Sequence, residues 1–119
     1  MPPPTPLSIK ASSLQRLVKE KSSYQKELEQ QQKRIEKLEG QQANGDEAGE
    51  EGNNEFMLGQ EKRALEETKR VFPGIQSRID AAIEALEAQL ESDGDNAPES
   101  EVQKAKEVLD AAKKTGTSV

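Results

Sequence analysis

Between Leu7 and Leu38 the apolar residues recur with the three-four alternation of a heptad: Leu7, Leu14, Leu17, Tyr24, Leu28, Ile35 and Leu38. Polar Lys10, Lys21 and Gln31 fill the missing positions of the same seam. A stripe of this period stays turned toward a partner only when long helices wind around one another, so the chain is committed to coiled-coil-like packing. A second stripe follows in Leu58, Leu65, Phe72, Ile79 and Leu86, seven apart throughout, with Ile75, Ala82, Ile83 and Leu90 between them. The third is short: Val102, Ala105, Leu109 and Ala112, with Val108 alongside. Leu, Ile, Val and Phe make up only 22 of 119 residues. That share is just under the ~20% at which composition alone points to disorder. A slender bundle needs one stripe per helix, whereas a globule needs far more.

The stops between the stripes set the expected elements. Met1 to Pro6 holds four prolines and reads as an extended tail, so residues 1–7 are expected to be disordered, with Ser8 as the first N-cap. Helix 1 is expected over about 8–42, ending at Asn44-Gly45. Residues 43–54 contain Gly, Asn and acid with nothing apolar larger than Ala, the composition of a solvated acidic loop. Helix 2 is expected over about 55–92 and kinked at Pro73, because an interior proline removes a backbone hydrogen bond. After the turn at Asp93-Gly94-Asp95-Asn96, Pro98 suits the first turn of helix 3, expected over 98–114, and 115–119 forms a tail.

These lengths give an all-α chain: an elongated, antiparallel three-helix bundle of spectrin-like packing. Helices 1 and 2, each ~52 Å at 1.5 Å per residue, fold back across the acidic loop, so residues whose numbers add to about 97 lie level. Leu14 then faces Ile83 and Tyr24 faces Phe72. Helix 3 is half that length and covers only the stretch Ile9 to Lys21 and Gln76 to Leu90. One end is therefore a dense three-helix bundle. The other is a two-helix arm with few apolar residues, and Pro73 falls at the junction.

Charge and composition remove several functions. The net charge is -6, which disfavours nucleic acid, since phosphate binding needs a concentrated basic surface. No apolar run is long enough for a membrane span or signal peptide, and helix 1 is too polar for a membrane surface. With no Cys and no His, the chain lacks thiolate chemistry, the commonest metal ligand and the usual general base, so Ser12, Ser13, Ser22 and Ser23 have no His to activate them. Paired carboxylates such as Glu66 and Glu67 fall on helix faces expected to be solvated, whereas a catalytic carboxylate needs burial. The acidic turn fails as a calcium loop because Pro98 stands where such a loop needs Gly. The expectation is a non-enzymatic protein with no cofactor and no metal.

The polar cluster Arg16, Lys19, Glu20, Lys21, Tyr24, Lys26 and Glu27 is open to two readings: helix-surface ion pairs, or contacts with an acidic protein. Its residues carry a resemblance. Arg16-Leu17-Val18-Lys19-Glu20-Lys21, then Tyr24 and Lys26-Glu27, resembles the helix 1 signature of the tubulin-binding cofactor A family. Pro73, Gln76, Arg78, Ile79, Asp80, Ala81, Ala82 and Leu86 are similar to the same family's Pro-x-x-Gln-x-Arg-aliphatic-acid-Ala-Ala stretch, and Val108-Leu109-Asp110 gives a shorter match. The Pro-rich start and the Gly-acid loop depart from the pattern.

The resemblance implies a three-helix-bundle chaperone that holds β-tubulin during post-chaperonin folding and heterodimer assembly without ATP. It implies a cytoplasmic, cytoskeleton-associated protein, with other tubulin-folding cofactors as further partners. Tubulin surfaces are acidic, so the expected contacts are Arg16, Lys19, Lys21, Tyr24, Lys26 and Arg34. The chain is expected as monomer or homodimer. The alternative is a homo-oligomeric coiled-coil scaffold unrelated to tubulin.

Overall fold

The computed structural model describes residues 3–43 and 51–116, with side chains described over 3–41 and 54–115. Three helices account for nearly all of it: α1 Pro6–Ala43, α2 Glu51–Asp93 and α3 Glu99–Gly116, with no strand among the described residues. The chain divides into two compact units. Unit 1 comprises Met1–Lys21 with Pro73–Val119, and unit 2 comprises Ser22–Phe72. The divide in α2 falls at Pro73, where the helix lengths place the end of the three-helix stretch.

In unit 1 the buried seam is apolar apart from Lys21. Leu7, Leu14, Ile75, Ile79 and Leu86 are almost fully buried, and Ala11, Ala105, Val108, Leu109 and Ala112 fill between them. Each large side chain removed from water stabilises the unit by about 1.5–3 kcal/mol. As α1 advances from Lys10 to Lys21, its partners on α2 step back from Gln89 to Gln76, so these segments are antiparallel. Along the same stretch its partners on α3 advance from Glu101 to Thr115, so α3 runs parallel to α1.

Unit 2 is a pair of helical segments with a different interior. Ile35 and Leu38 are its large buried apolar residues, and Gln31, Asn54 and Thr68 are buried with them. Thr68 Oγ1 is satisfied within its own helix, donating to the Ala64 carbonyl at 3.0 Å. Gln31 Oε1 is buried without a hydrogen-bond partner among the described residues. Leu28, Leu58, Leu65 and Phe72 of these segments are half-buried. Arg34 with Glu61 (3.9 Å) and Lys62 with Glu39 (3.5 Å) link the two segments across exposed ground. Such pairs add about 0–1 kcal/mol.

The helix starts differ from expectation. α1 begins at Pro6, not Ser8, and Leu7 belongs to the core and not to a tail. Thr5 is the N-cap: its Oγ1 accepts from the Ser8 N–H at 3.1 Å and its carbonyl from the Ile9 N–H at 2.9 Å. Pro6 then occupies the first helical position, where a missing N–H costs nothing. The expected acidic loop lies largely outside the described residues, and α2 starts at Glu51, within its expected span. α3 starts one residue after Pro98, whose carbonyl accepts the first helical N–H, that of Val102, at 3.2 Å. It continues through Gly116, and 117–119 lie outside the described residues. Gly94 closes α2 for a steric reason: a Cβ there would collide with the Leu90 carbonyl oxygen.

Candidate functional site

Of the sequence-derived contact residues, Arg16, Lys19 and Lys21 belong to unit 1 and Tyr24, Lys26 and Arg34 to unit 2. Arg16 and Lys19 are exposed, three residues apart and therefore neighbours on one face of α1. Neither they nor Glu20 forms an ion pair among the described residues, so the local-pairing reading of this cluster is not what the side chains do. In unit 2, Lys26 is exposed, Tyr24 half-buried, and Arg34 exposed beside Glu61.

Lys21 is placed elsewhere. It is only 1% exposed, the largest fully buried side chain among the described residues. Its Nζ donates to Gln76 Oε1 at 2.7 Å and to the Thr115 carbonyl at 2.8 Å. Gln76 passes the polarity on, its Nε2 donating to Asp80 Oδ1 at 2.9 Å. Thr115 sits in the last turn of α3, where the helix dipole and unpaired carbonyls favour a cation. Lys21 thus joins all three helices of unit 1 and serves the end of α3 as a cap from another helix. Its charge is turned inward, so it is not a surface contact. The heptad had already placed it on the seam, and burial follows from that position.

The remaining ends of unit 1 are tied in similar fashion. Thr5 Oγ1 donates to Glu101 Oε1 at 3.0 Å, joining the start of α1 to the first turn of α3. Lys113 donates to Glu87 Oε2 at 2.8 Å, and that hydrogen bond, with the attraction of the same carboxylate, raises Lys113 above the ordinary lysine pKa. A shallow groove between α1 and α3 is floored by Val18, Val108 and Ala111 and rimmed by Gln103, Lys104 and Glu107. Among the described residues no three acidic side chains are close enough to hold a metal ion.

What these helices offer is therefore exposed surface, and the comparisons with known proteins agree in kind. The family model described as tubulin binding cofactor A matches residues 2–109. The chain belongs to the tubulin binding cofactor A family. Among curated relatives, the tubulin-specific chaperone A of Oryctolagus cuniculus is 35% identical over 107 residues, 90% of each chain. That of Homo sapiens is 34% identical over the same share. The tubulin-specific chaperone A of Saccharomyces cerevisiae is 32% identical over 89 residues, 75% of this chain and 76% of its own. No solved structure gives a significant match. Within this family's frame, the helix 1 signature splits into two jobs: Lys21 builds unit 1, while Arg16 and Lys19 remain in solvent.

Sequence reasoning passed over one residue of note. Phe56 is 61% exposed and Met57 47%, just before the first residue of the helix 2 seam, Leu58. The available signal was phase: Phe56 stands two residues ahead of the Leu58, Leu65 and Phe72 positions, and so faces away from them.

Proposed function

We propose that this chain binds β-tubulin and holds it during post-chaperonin folding and heterodimer assembly, without ATP. Membership of the tubulin binding cofactor A family, matched over residues 2–109, carries the reading. The exposed cations of α1 support it physically. Arg16 and Lys19 in unit 1, and Tyr24, Lys26 and Arg34 in unit 2, are the contacts proposed for tubulin's acidic surface. Lys21 is left out because its ammonium group faces the core. Holding a partner against aggregation or premature pairing requires only a stable docking face, which long packed helices provide. A protein with this task would act in the cytoplasm beside the cytoskeleton, in the company of other tubulin-folding cofactors.

Immobilised full-length chain should retain purified β-tubulin at micromolar concentration, and failure to retain it removes the proposal. Lys19→Glu should weaken that retention while far-ultraviolet circular dichroism stays unchanged. Unaltered affinity would show that the α1 cations do not make the contact. No observation favours the homo-oligomeric scaffold.

A further inference from the structure

The α2 segment of unit 2 carries two kinds of cation. Lys62 pairs with Glu39 at 3.5 Å and Lys69 with Glu66 at 3.6 Å. Arg63 and Arg70, each the very next residue, are exposed and pair with no carboxylate among the described residues. Like Arg16 and Lys19 of α1, these two guanidinium groups leave their charge open to a partner outside the chain. Arg63 is nonetheless held in place, its Nε donating to the carbonyl of Gly59, one turn back, at 3.3 Å. Phe56 stands seven residues before Arg63, and Arg70 seven after it. Seven residues are two turns, so the three share one face of α2, pointing away from the side that bears Asn54 and Thr68. Phe56 keeps 61% of its surface in water. An exposed aromatic in line with arginines is the composition found at the energetic centre of protein interfaces.

We propose that Phe56, Arg63 and Arg70 form a docking stripe for an acidic protein surface, with the Phe56 ring entering an apolar recess and each guanidinium taking a carboxylate in bidentate fashion. The proposal rests on the tubulin reading and adds to it a second contact surface, on α2. The bidentate geometry of arginine is what a lysine at the same position could not supply.

The test measures binding of purified β-tubulin to the full-length chain and to three variants: Phe56→Ser, the double variant Arg63→Ser with Arg70→Ser, and Lys62→Ser. The first two should each raise Kd by about tenfold or more, as loss of an interface anchor does. The double variant should also reduce the salt dependence, and circular dichroism should be unchanged because all three side chains are exposed. Lys62→Ser, whose charge is already paired, should change Kd by less than about twofold. Wild-type binding with the first two variants unaffected overturns the stripe. An equal loss from Lys62→Ser also overturns it, since overall charge alone would then explain the effect. No binding by the wild type defeats the tubulin reading, and the stripe with it.

Discussion

Reversing the charge of Lys21 should disrupt unit 1, whereas the same change two residues earlier should hardly register. In Lys21→Glu a carboxylate would replace an ammonium group that is 1% exposed and bonded to Gln76 Oε1 and the Thr115 carbonyl. Gln76 can turn its amide to offer Nε2, but the Thr115 carbonyl cannot become a donor, and it lies at the negative end of α3. An uncompensated buried charge costs about 3–5 kcal/mol, against a total stability of about 5–15 kcal/mol for a domain. At about 4 °C per kcal/mol for a chain of this size, Tm should fall by 10–20 °C. Lys19→Glu, fully in solvent, should stay within about 0.5 kcal/mol. Lys21→Met should fall between them, since the bonds and the cost of burying the charge disappear together. Thermal melts by circular dichroism give the ranking, and amide exchange in the last turn of α3 locates the damage. Equal melting of the Lys19 and Lys21 variants would refute the argument that Lys21 holds α3.

Three further outcomes follow from the helix ends. Gly94→Ala should cost about 2 kcal/mol, because its Cβ meets the Leu90 carbonyl, whereas Gly74→Ala, built into open space within α2, should gain about 0.5–1 kcal/mol; urea denaturation compares them. Thr5→Ala removes both the N-cap of α1 and the link to Glu101, and should lower stability by about 1–2 kcal/mol in the same assay. Because Glu87 raises the pKa of Lys113 above its unfolded value, the pair's contribution is present below the ordinary lysine pKa and lost as pH climbs through the folded one. Lys113→Ala should therefore remove a part of the alkaline loss of Tm, a small one because both charges are exposed.

Much of this fold could be read from spacing. The level pairing of α1 and α2 near a sum of 97 is met by Lys21 and Gln76, and the heptad that put Lys21 on the seam also put it inside. Assigning Lys21 to the surface followed from its charge and neighbours, and the seam position prevailed because a lysine can bury its stem and still reach two oxygens. The start of α1 was missed because a run of prolines argues against helix, yet the rule reverses at the first helical position, and Thr5 before Pro6 supplies the cap. Phe56, Arg63 and Arg70 escaped notice for a different reason. Periodicity finds what faces inward, whereas a free guanidinium is recognised only once the partners of Lys62 and Lys69 are known.

The polar interior of unit 2 bears on how the chain reaches its final form. Starting a helix is unfavourable and extending one is cheap. Among the described residues, Ser22–Phe72 buries Ile35 and Leu38 as its large apolar groups, with Gln31, Asn54 and Thr68 beside them, and so has little with which to start. The segments of α1 and α2 in unit 1 have a seam of leucine and isoleucine to nucleate on, and each runs on directly into unit 2. Folding should then travel outward from that nucleus, with substitutions at Ile35 or Leu38 speeding unfolding and leaving the refolding rate almost untouched.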